Sequence, residues 1–109
     1  MPKQLPKSAA SKRTTLPLRF NYANAFLKDW ERLSHSGRYD MNRLKETIQL
    51  LIANAGPLPA EYKNHALVGE WVGFDECHVG GDFLLIYERR ADGWLVFTRA
   101  GTHSDLFGK

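Results

Sequence analysis

From residue 22 the chain repeats apolar side chains every three to four positions. Tyr22, Phe26, Trp30 and Leu33 carry the repeat, while Lys28, Asp29, Glu31 and Arg32 fall on the opposite side. That period predicts an amphipathic helix from Asn21. Gly37 is placed to close it with a left-handed turn. Asp40 is a good N-cap for a second helix, with Met41, Leu44, Ile48, Leu51 or Ile52 and Ala55 on one stripe, ended by Gly56-Pro57. A short polar loop joins the two into a helical hairpin. Neither stripe can be satisfied by the other alone, so a sheet is expected beneath them.

The second half changes period. Glu70 to Val79 reads as a strand, Gly80-Gly81 as a turn, and Phe83-Leu84-Leu85-Ile86-Tyr87 as a central strand apolar on both faces. Asp92-Gly93 is a hairpin turn into Trp94-Leu95-Val96-Phe97, which makes an antiparallel meander. Upstream, Leu16 to Phe20 is short and alternating, and Pro17 restricts it to an edge strand. The expected fold is α+β, an N-terminal helical hairpin packed on a small antiparallel sheet.

Composition adds bounds. A chain of 109 residues, 43% hydrophobic, supports one modest core, and residues 16–109 are expected to form one domain. Residues 1–15, MPKQLPKSAASKRTT, are basic and free of acids, and they read as a disordered arm. The lone Cys77 excludes a disulfide framework and cysteine-based zinc motifs, consistent with a reducing compartment. No apolar run approaches the roughly 18 residues of a membrane span, so a soluble cytoplasmic protein is expected. The net charge of +3 comes from the N-terminal segment. From residue 20 onward, ten cations face twelve carboxylates, a net of −2. Any nucleic-acid binding must therefore rest on a local patch or on the arm.

Three of the four histidines, His65, His78 and His103, lie in the strand half together with Asp82, while His35 reads as an exposed loop residue. A metal site is disfavoured, because Cys77 and His78 are neighbours in a strand and point to opposite faces. Ser104 beside His103 lacks the glycine-flanked elbow of a serine hydrolase. Metal-independent RNA cleavage needs only a base, an acid and a cation around the substrate's own 2′-hydroxyl. Imidazoles suit both proton roles. Arg99 could stabilise the phosphorane charge, and Phe83, Phe107 or Trp71 could hold a base unstacked. Trp30 and Trp94 read as core, and Asp75 and Glu76 as solvated or structural.

As a set, "YKNHALVGEW", "DECHVGGDFLLIYE" and "RAGTHSDLF" resemble the motifs of the YafQ branch of the RelE/ParE toxin superfamily, and the resemblance runs from about Tyr22 to Gly108. It implies a RelE-like fold and a ribosome-dependent endoribonuclease that cuts messenger RNA in the A site without a cofactor. It further implies neutralisation by a DinJ-like antitoxin, with operator DNA reached only through the antitoxin complex. By the same resemblance His65, His78, Asp82 and His103 form the catalytic set, His103 being the acid or phosphate-contacting group, and Phe107 matches the family's aromatic residue. Phe83 stands where the family has a tryptophan, which keeps a flat ring but loses an indole N–H. Two rival readings are a ParE-like gyrase poison, a class lacking this histidine set, and an inactive module that binds antitoxin and operator.

Overall fold

A computed structural model describes residues 17–108. The arm expected over residues 1–15 lies outside the described residues. The elements run β1 (Arg19–Tyr22), α1 (Asn24–Ser36), α2 (Met41–Ala53), β2 (His65–Ala66), β3 (Asp75–Gly80), β4 (Phe83–Arg89), β5 (Trp94–Gly101) and α3 (His103–Phe107). Short 3-10 turns occupy Ala60–Tyr62 and Gly69–Trp71. No helix among the described residues is long and apolar enough to cross a membrane.

The helical hairpin forms as its pattern predicts, with shifted ends. Gly37 closes α1 at φ 70°, and the Asp40 carboxylate accepts the Arg43 N–H at 2.9 Å to cap α2. Tyr22 belongs to β1 rather than to α1, yet its ring stacks on Phe26 at 5.4 Å, so the apolar spacing is met across a strand-to-helix junction. α2 stops at Ala53, ahead of Gly56-Pro57, because Asn54 adopts the left-handed conformation and its N–H bonds Leu50 O at 3.3 Å. Asp29, expected on the polar side of α1, is only 5% exposed.

The sheet has the order β1-β5-β4-β3-β2 and is mixed. The expected antiparallel sheet holds for β2 to β5, whereas β1 runs parallel to β5, from Arg19↔Trp94 to Tyr22↔Phe97. No hairpin links β1 to its partner, so no local turn dictates their direction, and alternation along a strand is the same for either sense. The strand expected over Glu70 to Val79 is confined to Asp75–Gly80, since Gly69 at φ 69° and Gly73 at φ 97° turn the chain just before it.

β4 is central and buries both its faces. Phe83, Leu85 and Tyr87 join Phe26, Leu33, Leu44, Ile48, Leu51, Cys77, Val79 and Phe97 under the hairpin. Each such large side chain contributes about 1.5–3 kcal/mol of burial. Leu84 and Ile86 point the other way, beneath Leu106, with Leu67, Trp71, Phe74 and Phe107 around them. The sheet therefore separates a face closed by two long helices from one covered only by short segments.

Candidate active site

Strand alternation assigns chemistry to the more open face. Cys77 and Val79 go into the helix-side core, so Glu76 and His78 go to the opposite side. His65 pairs directly with Glu76 across β2 and β3 and shares that side. The Gly81-Asp82 turn follows, with Gly81 at φ 55°. β5 then delivers the chain to α3, whose start is fixed by a reciprocal cap. Thr102 Oγ1 accepts the Asp105 N–H at 3.1 Å, and Asp105 Oδ2 accepts the Thr102 N–H at 3.0 Å.

His103 opens α3, where a backbone N–H has no intrahelical acceptor. That N–H donates to Asp82 Oδ1 at 3.1 Å, and the ring Nδ1 meets the same oxygen at 2.6 Å. Asp82 thereby fixes both the backbone and the ring of His103. The His78 ring lies 6.3 Å from that of His103, and Phe107, one helical turn on, lies 6.0 Å from it. Trp71 packs edge-on against Phe107 at 6.2 Å.

The hydrogen bonds set the tautomers. A carbonyl only accepts, so His78 Nδ1, 3.2 Å from Gly81 O, carries a proton. His103 Nδ1 donates to the Asp82 carboxylate in the same way. With Nδ1 holding its proton, Nε2 of each ring is the nitrogen left to bind or release a proton toward substrate. The His103 side-chain hydrogen bond, followed by its backbone N–H, holds the Asp82 carboxyl below the usual aspartate range. His65 differs, because Nδ1 donates to Lys63 O at 2.8 Å while Nε2 sits 3.4 Å from Glu76 Oε1. Both its nitrogens therefore face oxygens. Glu76 is 3% exposed, and its second oxygen, Oε2, is buried with no hydrogen-bond partner. The neighbouring Cys77 thiol is pushed up to about 12, chiefly by burial.

Among the residues expected to carry chemistry, His78, Asp82, His103 and Phe107 meet at one place, and His65 joins the same face through Glu76. Two are placed differently. Phe83, expected to stack on a base, is 6% exposed and packs at 5.1 Å from Tyr39 in the helix-side core, since alternation sends it opposite to Leu84. Arg99, expected to stabilise phosphorane charge, is held by Asp29 of α1, with Nε at 2.7 Å and Nη2 at 3.2 Å. That carboxylate raises the already high guanidinium pKa. Glu76, read as solvated or structural, is buried against His65. Its position two residues before His78, flanking a core-facing cysteine, is the signal that could have placed it on this face.

Solved structures of bacterial toxins share this architecture. The chain superimposes on the toxin in the E. coli DinJ-YafQ toxin-antitoxin complex with a TM-score of 0.75 and 43% identity, covering 85% of this chain and 100% of that one. A metal-bound toxin from Helicobacter pylori gives 0.73 and 35%, over 83% and 99%. The class is thus that of toxins from toxin-antitoxin pairs. Within it, residues 18–108 match the family described as the bacterial toxin of type II toxin-antitoxin system, YafQ, and the chain belongs to that family. The mRNA interferase toxin YafQ of E. coli strain K12 is 46% identical over 87 residues, 80% of this chain and 92% of that protein.

Proposed function

We propose that the protein is a toxin that cleaves messenger RNA in the ribosomal A site, using the substrate's own 2′-hydroxyl as nucleophile and no metal. The observation that carries this reading is the pair of imidazoles 6.3 Å apart, each with Nδ1 tied to an oxygen and Nε2 left for substrate. His78 Nε2 takes the 2′ proton as the 2′ oxygen attacks phosphorus. Protonated His103 gives its Nε2 proton to the departing 5′ oxygen. The products are a 2′,3′-cyclic phosphate and a 5′-hydroxyl, and the net proton change is zero. His65, held between Lys63 O and Glu76 on the same face, helps to orient the substrate. Phe107 offers the ring on which an unstacked base rests. Asp82 positions His103 and is not the base, because its two hydrogen bonds from His103 favour the ionised form and weaken its proton affinity.

The DinJ complex of the E. coli relative supports a DinJ-like antitoxin as the neutralising partner. The test is cleavage of message on programmed ribosomes with chelator present. Wild-type protein cuts and leaves a cyclic phosphate. His103→Ala abolishes cutting while leaving the domain folded, its Tm falling no further than that of Asp82→Asn, because its side chain is 53% exposed. Intact message with wild-type protein refutes the nuclease, and dependence of the chemical step on a divalent ion refutes the metal-free route. Inhibition of gyrase supercoiling in a parallel assay would instead support the ParE-like rival.

A further inference from the structure

Next to the histidine cluster the surface dips into a cavity of about 480 Å³, lined by Arg38 and Tyr39 of the α1–α2 loop, Arg43 of α2, Gly80 of β3, Asp82 and Thr102. Asp82 and Thr102 also bracket His103, one by hydrogen bond and one by sequence. The cavity reaches the site through these two residues, while Tyr39, Val79 and Phe83 in its lining belong to the helix side of the sheet. The two arginines in its wall are not equivalent. Arg43 is committed to the fold, with Nε donating to Val79 O at 3.0 Å and Nη2 to Glu61 at 2.9 Å, its guanidinium lying over Tyr62. Arg38 is exposed, and among the described residues its guanidinium enters no ion pair. The carboxylates nearby are engaged, Asp40 by the Arg43 N–H and Asp82 by His103. An unpaired guanidinium with five donors favours an anion that can accept two of its N–H groups in parallel, as a phosphate does. Tyr39, packed against Phe83, gives the cavity a flat wall, and Gly80 leaves open space where a side chain would stand.

We propose that this cavity is a subsite for the RNA nucleotide adjoining the scissile phosphate, and that Arg38 anchors that nucleotide's own phosphate. The proposal rests on the nuclease reading above for which phosphate is scissile. Binding can be measured apart from cleavage. A single-stranded RNA oligomer with 2′-O-methyl groups, which cannot be cut, is titrated into wild-type protein, Arg38→Ala, Arg38→Lys and Arg90→Ala across a salt series, and cleavage on programmed ribosomes is followed in parallel. Arg38→Ala weakens binding on the order of tenfold at low salt. Loss of one phosphate contact makes its log–log salt slope shallower by about 0.7. KM rises more than kcat falls. Arg38→Lys restores the slope but only part of the affinity, since the planar fork is lost. Arg90→Ala, at the β4–β5 turn, changes neither. If Arg38→Ala binds with wild-type affinity and slope, or does no more than Arg90→Ala, the subsite is wrong even where the wild type cleaves. If the wild type fails to cleave yet binding remains dependent on Arg38, the nuclease reading falls and the anion subsite stands.

Discussion

Replacing Asp29 with alanine tests the reassignment of Arg99. The carboxylate is 5% exposed and receives four donors: Arg99 Nε at 2.7 Å, Arg99 Nη2 at 3.2 Å, the Ala100 N–H at 3.0 Å and Arg32 Nη2 at 3.3 Å. Removing it leaves a guanidinium and a backbone N–H of β5 without acceptors. Breaking a buried ion pair costs about 3–5 kcal/mol and stranding a buried amide about 1–3. The Arg99 side chain is 27% exposed and recovers part of this from water. The net loss for Asp29→Ala is therefore about 2–4 kcal/mol, a large share of a typical domain's stability. Arg99→Ala costs less, about 1–2 kcal/mol, because Asp29 keeps the Ala100 amide and Arg32. The pair should couple by about 1–2 kcal/mol in a double-mutant cycle. Urea unfolding followed by tryptophan fluorescence measures all four proteins. An additive double mutant, or an Asp29→Ala variant within 1 kcal/mol of wild type, would sink the argument and return Arg99 to the phosphate.

Two further outcomes follow from the carboxylates on the open face. Glu76→Met removes the buried carboxylate that faces His65, so cleavage should fall at least about tenfold through loss of the His65 partner while the domain stays folded; full activity contradicts this. Asp82 is held below its usual pKa by His103, so its contribution to stability is complete above the unfolded value near pH 4 and is lost as pH falls through the lower native value. The Tm gap between wild type and Asp82→Asn should then shrink as pH falls below about pH 4. A gap that widens on acidification overturns the sign.

The hairpin, the meander and the central strand were legible because periodicity, the Asp40 cap and glycine turns encode them locally. The sense of β1 was not, since a parallel pair leaves no turn in the sequence. α3 escaped because it is one helical turn long, although Thr102 and Asp105 carry its capping pattern. The grouping of His78, Asp82 and His103 followed from their place near one strand turn and from motif resemblance. Phe83 was misplaced and the pairing of Arg99 went unseen for a shared reason: residue type states what a side chain can do, while the face it occupies depends on strand phase and on a partner such as Asp29, 70 positions away. The same ambiguity concealed Glu76.

The sheet order also governs when the molecule can finish assembling. β1, among the first parts of the described chain to be synthesised, hydrogen-bonds only to β5, and His103 lies beyond β5 again. A nascent chain lacking its last stretch has a solvent-exposed first strand, a missing outer neighbour for β4 and no terminal imidazole. Closure of the β1 edge and placement of His103 thus both wait on the same late segment of the described chain.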